Sequence, residues 1–94
     1  MQMTQRMVTI PIQQEEMVIL EKICKALNSD LNDILREALS IGIKKIRVEK
    51  AIELYVRGKA SLWGAAELAG LDYRSFAEEL RKRGIKIRYL EEKL

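Results

Sequence analysis

The segment GKASLWGAAELAGLDYRSF, residues 58–76, constrains this chain most strongly, through the spacing of Ala66, Gly70 and Phe76. Two helices that meet steeply need a small side chain where their backbones approach, and Ala66 supplies it. They also need a residue comfortable at positive φ in the turn, and Gly70 supplies that four positions later. Phe76, six positions further on, fills the corner between them. Ser61 is placed to cap the first helix, whose Leu62, Ala65, Ala66 and Ala69 point inward. Asp72 is placed to cap the second, which runs to about Arg83 with Phe76 and Leu80 inward.

These intervals match a helix-turn-helix, although any tight helical corner produces the same spacing. If the motif binds DNA, the exposed positions at the start of its second helix, Tyr73, Arg74, Ser75 and Glu78, face base edges. Lys59, Ser61, Arg81 and Lys82 are then phosphate contacts, which position without specifying. The alternative for Arg74 is a surface ion pair with Glu78 at i+4. Trp63 is either a core filler or an exposed anchor for a partner.

Upstream, Arg6, Val8, Ile10 and Ile12 alternate with Met7, Thr9 and Pro11, which predicts a short strand whose partner is the same strand of another copy. Met17, Leu20, Ile23, Cys24 and Leu27 recur at helical spacing and predict a helix over 14–27, with Glu15, Glu16 and Glu21 early and Lys22 and Lys25 late, as the dipole prefers. Asn28 suits a left-handed cap, and Asp30 or Asn32 can cap the next helix. That helix carries Ile34, Leu35, Ala38, Leu39 and Ile41. No breaker lies between Gly42 and Gly58, so it is either continuous with, or followed by, a helix bearing Val48, Ala51, Ile52, Leu54 and Tyr55.

Strand, helix, tight turn, helix is the order of ribbon-helix-helix proteins, and residues 6–46 resemble them in V-T-I-P-I and in L-N-S-D-L-N-D-I-L-R-E-A-L. The resemblance implies a homodimer held by Val8, Ile10, Ile12, Leu35 and Leu39. It also implies a ribbon whose Gln5, Met7, Thr9 and Pro11 face DNA bases, with the amides around Asp30 to Asp33 near phosphate. Met7, Thr9 and Pro11 offer one hydroxyl among them, where base-reading ribbons usually carry Arg, Lys, Asn or Gln. The bland alternative is a module that only dimerises.

Residues 51–85 resemble a family of small prokaryotic proteins with the signature L-Y-x-x-G-K-x-S-L, then A-A-E-L-A-G and a closing R-G-I. Its members are generally regarded as antitoxins, often beside PIN-domain ribonuclease toxins, and VapB-type antitoxins dimerise and bind operators. In the tail, Ile85, Ile87 and Tyr89 alternate as a short strand would. That strand either crosses a toxin or packs on its own domain.

Composition narrows the function classes. The chain has 94 residues, 48% hydrophobic and 33% charged, with a net charge of +3, which permits a nucleic-acid partner without demanding one. Arg81, Lys82, Arg83, Lys86 and Arg88 place five cations and no acid in eight residues, either as a DNA-facing stretch or as a solvated helix end opposing the dipole. The absence of His removes the commonest general base and metal ligand, and Cys24 is alone, so neither an enzyme, a metal site nor a cofactor is expected. No apolar run approaches the roughly 20 residues of a membrane span, and the expected compartment is the cytoplasm.

The expected fold is therefore all-α with one short N-terminal strand: a ribbon-helix-helix module over 1–46, then a helix-turn-helix module over 47–94 with a short C-terminal strand. The expected function is that of a homodimeric DNA-binding repressor, the antitoxin of a toxin pair, with the tail meeting a PIN-domain toxin. The second reading, from a different class, is an interaction module that neutralises a nuclease without reading DNA.

Overall fold

The computed structural model describes residues 4–88, and these contain four helices and no strand: α1 (Gln14–Leu27), α2 (Leu31–Val56), α3 (Leu62–Ala69) and α4 (Tyr73–Lys82). The chain divides into two compact units, Met1–Glu37 and Ala38–Leu94, with the division falling inside α2.

In the first unit, the backbone N–H of Gln13 donates to the Glu16 carboxylate at 3.3 Å as α1 begins. Glu15 and Glu16 lie in its first turn and Lys25 in its last, so the charges oppose the dipole at both ends. Asn28 ends the helix at φ 54°, and the next N–H, of Ser29, donates back to the Cys24 carbonyl at 2.9 Å. A left-handed Asn at this position satisfies carbonyls that the helix would otherwise leave bare. The apolar stripe on α1 is only partly covered: Met17, Leu20 and Cys24 are half-buried, no residue of the helix is fully buried, and Val18, Ile19, Ile23 and Leu27 are exposed.

The N-terminal ribbon is not formed. Residues 4–12 adopt neither helix nor strand, and Met7, Val8, Ile10 and Ile12 are exposed, Met7 at 98%. Alternation decides which side chains would share a face, but a strand exists only where its N–H and C=O groups find a ladder, and no described segment offers one. Val8, Ile10 and Ile12, expected to build a dimerising strand, and Gln5, Met7, Thr9 and Pro11, expected to line its other face, therefore form no strand in this chain. The C-terminal strand is likewise absent among the described residues. Ile85 and Ile87 instead lie irregularly against the second unit's core, and Tyr89 falls outside those residues.

The second unit has a dense core. Ala51, Ile52 and Tyr55 from α2, Leu62, Ala65, Ala66 and Ala69 from α3, and Phe76, Ala77 and Leu80 from α4 are all buried. Tyr55 and Phe76 meet edge to face, with ring centroids 6.5 Å apart and planes at 88°, a favoured aromatic geometry. The buried Tyr55 hydroxyl accepts from the Arg88 backbone N–H at 2.7 Å, while the Arg88 guanidinium donates to the Tyr55 carbonyl and lies 3.9 Å from the ring centroid. One tyrosine thus fastens the last described residues to the core.

Two further arginines tie α2 to the helices after it. Arg83 grips Glu49 with both terminal nitrogens, at 3.1 and 2.8 Å, and donates to Glu79 at 3.2 Å. The hydrogen bond from Arg83 holds the Glu49 carboxyl below its ordinary value of 4.5, and its bond to Glu49 pushes the Arg83 pKa up. Arg47 donates to the carbonyls of Leu68 at 2.9 Å and Glu67 at 3.3 Å, supplying partners to the C-terminal end of α3. Gly70 closes α3 at φ 75°, where an added Cβ would lie 2.7 Å from the Arg47 guanidinium carbon.

This packing makes two outcomes measurable. Gly70→Ala is expected to destabilise the protein by more than about 1 kcal/mol in urea unfolding, because it meets both a positive φ and the guanidinium. Adding Arg47→Ala relieves the contact but not the φ, so the double variant loses less than the sum of the two. Because the folded-state pKa of Glu49 is depressed, its contribution is complete above the unfolded value and fades as pH falls through the lowered folded one. The difference in melting temperature between the wild type and Glu49→Gln should accordingly be present at neutral pH and shrink below about pH 4.5.

Candidate nucleic-acid interface

α3 and α4 are joined by the three residues Gly70, Leu71 and Asp72, and both helices start on side-chain caps. The Ser61 Oγ accepts from the Gly64 N–H at 3.0 Å, and the Asp72 carboxylate accepts from the Ser75 N–H at 2.7 Å. Hydrogen bonding from Ser75 lowers the Asp72 pKa, with the nearby charge of Arg74 adding to it. Ala66 and Phe76 are buried in the corner and Gly70 takes the left-handed turn position, so the sequence spacing corresponds to a real joint between two helices.

This joint fixes the first turn of α4. Arg74 and Ser75 are exposed there, Tyr73 is half-buried, and Glu78 is exposed one turn along. Glu78 pairs with Arg81 at 3.5 Å rather than with Arg74. Among the described residues Arg74 enters no ion pair, so its guanidinium fork, with five donors, points out of a well-anchored helix start. Lys59, Ser61 and Lys82 are exposed as well, Lys59 in the turn after α2, where its N–H donates to the Leu54 carbonyl at 2.8 Å.

The basic stretch from Arg81 to Arg88 separates into two kinds of cation. Arg83 and Arg88 hold the fold together through Glu49, Glu79 and Tyr55. Arg81 shares its charge with Glu78, and Lys82 and Lys86 are exposed. The stretch is thus a weaker electrostatic feature than its composition suggests, because long-range partners 34 residues away leave no local pattern.

Trp63 is exposed at 60%, not a core filler, and its ring lies 4.3 Å from that of Tyr73, tilted by 37°. Beside this pair an open cleft of about 440 Å³ runs between α3 and the start of α4, bordered by Glu67, Leu71 and Asp72. In the first unit, Leu35 is half-buried; in the second, Leu39 is exposed. No described group of His, Cys, Asp and Glu could hold a metal ion, and no described helix is long and apolar enough to cross a membrane.

The model of an uncharacterised protein family, UPF0175, matches residues 13–94. The chain is 45% identical over 51 residues to a UPF0175 protein of Aeropyrum pernix, a match covering 54% of this chain and 57% of that protein. It is 46% identical over 57 residues to a UPF0175 protein of Archaeoglobus fulgidus, covering 55% and 66%. The chain therefore matches less than two thirds of the length of either relative. No solved structure matches it.

Proposed function

This chain belongs to the UPF0175 family, whose description carries no activity, and from the joint between α3 and α4 we propose that it is a homodimeric, sequence-specific DNA-binding regulator. The observation that carries this reading is Arg74, exposed and in no ion pair among the described residues, at the first turn of a helix whose other face is locked into the core. A helix start held in this way can enter a major groove, where an Arg fork pairs with the O6 and N7 of guanine. Tyr73 and Ser75 flank it, and Lys59, Ser61, Arg81 and Lys82 serve as phosphate contacts.

Dimerisation takes its support from uncovered apolar surface. A 14-residue helix that buries no residue fully is marginal in water, and apolar side chains of α1 and the first half of α2, including Ile23, Leu27, Leu39 and Ile43, stand exposed. A second copy would cover them, and two-fold symmetry then presents two α4 helices to a palindromic operator. The residue signature of positions 51–85 and its likeness to antitoxins extend the proposal to an autorepressor that meets a PIN-domain toxin in the cytoplasm. The tail expected to meet the toxin lies largely outside the described residues. The second reading, a neutralising module that does not read DNA, is favoured by the same exposed apolar faces. The chain has no His, and we propose no enzymatic activity and no cofactor for it.

The deciding experiment measures binding of the purified protein to its own promoter and to scrambled DNA across a salt series. Preference for the promoter, with affinity falling steeply as salt rises, is expected. Failure to bind at low salt by a confirmed dimer overturns DNA reading and leaves the neutralising module. Arg74→Ala is expected to cost roughly 1–3 kcal/mol on the preferred site and little on scrambled DNA. Sedimentation should show a dimer, and Ile23→Glu combined with Leu39→Glu should convert it to a monomer; a wild-type monomer at micromolar concentration overturns the assembly.

A further inference from the structure

We propose that the cleft between α3 and the start of α4 is a docking site for an arginine side chain presented by a partner protein. Trp63, 60% exposed, lines the cleft beside Tyr73, whose ring centroid lies 4.3 Å from that of the indole. Glu67 lies four residues after Trp63 on α3, which puts its carboxylate on the same helix face one turn along. Asp72 lines the same cleft, with one carboxylate oxygen engaged by the Ser75 N–H as the cap of α4. Among the described residues, Glu67 and Asp72 are the only charged ones lining the cleft, in a chain whose net charge is +3.

An aromatic side chain bordered by two carboxylates selects a cation, and the nearby cations among the described residues do not fill the cleft. Arg47 gives its guanidinium to the carbonyls of Leu68 and Glu67, and Arg74, although close enough to act on Asp72, does not line the cleft. A planar guanidinium stacks on indole and reaches a carboxylate with paired donors at the same time, which the ammonium of lysine does not. The two carboxylates repel phosphate, so the cleft is a protein-facing surface rather than part of a nucleic-acid groove. Trp63, Glu67 and Asp72 lie outside the residues proposed to touch DNA, whereas Tyr73 belongs to both surfaces, so an arginine in the cleft and a base at Tyr73 exclude one another there; the docking site itself does not require that Arg74 read bases.

The test uses the full chain labelled with ¹⁵N. Its single tryptophan gives one indole N–H resonance, which reports directly on this cleft. An acetylated, amidated Gly-Arg-Gly tripeptide is titrated against the same peptide carrying citrulline, the uncharged isostere, and one carrying lysine. A saturable shift of the Trp63 resonance with the arginine peptide is expected, with citrulline binding at least about fivefold more weakly and lysine in between. Glu67→Gln together with Asp72→Asn should weaken the arginine peptide about fivefold, and Asn caps a helix as well as Asp, so the fold is retained. Equal binding of citrulline, indifference to the two carboxylates, or no saturable shift overturns the proposal. Lysine binding as tightly as arginine overturns the choice of guanidinium, and a shift produced only by a DNA oligonucleotide overturns the protein-facing assignment.

Discussion

The second unit depends on a position with no side chain. At Gly70 the backbone turns left-handed, and the space where a Cβ would project holds the guanidinium of Arg47. That guanidinium in turn satisfies two carbonyls at the end of α3, which has only eight residues and leaves half of its carbonyls without intrahelical partners. Turn geometry, helix termination and the anchoring of α3 to α2 are thus one local solution. Once it is in place, the start of α4 has a single direction, and Asp72 can cap it.

The two units illustrate opposite ways of handling apolar surface. Alanines dominate α3 because its backbone must come close to its neighbours, and the volume they leave is filled by Tyr55, Phe76, Leu62 and Leu80, all fully buried. Specificity there comes from a few large rings and from arginines that reach across the sequence to Glu49, Tyr55 and the α3 carbonyls. In the first unit α1 has a left-handed Asn at its end and correctly placed dipole charges, yet none of its apolar side chains is more than half-buried and Ile23 and Leu27 are exposed. Local propensity and capping decide where such a helix begins and ends, while burial, which stabilises more, must come from elsewhere.

Local features were legible from the sequence because their physics is local. Asn28, Ser61, Gly70 and Asp72 each act within about four residues, and the spacing of Ala66, Gly70 and Phe76 encodes a contact between adjacent helices. The strand at residues 6–12 failed because alternation specifies a face but not a ladder, and the ladder would have to come from outside the segment. Trp63 was ambiguous for a similar reason: its burial is set by the α3–α4 joint, and the same hydropathy suits a core or an exposed ring. The long-range roles of Arg47, Arg83 and Arg88 left no trace. A basic residue that pairs over more than twenty positions looks identical, in sequence, to one that is solvated.

The exposure of Trp63 has a practical corollary for spectroscopy. An indole already in contact with water emits at a similar wavelength whether the chain is folded or not, since the polarity around it changes little on unfolding. The rings that do leave an apolar environment, Tyr55 and Phe76, are weaker emitters. Tryptophan emission alone would therefore register denaturation as a small drift, and could make a cooperative transition look gradual or missing. Far-ultraviolet circular dichroism, which follows the four helices themselves, is the signal through which this protein's folding can be seen.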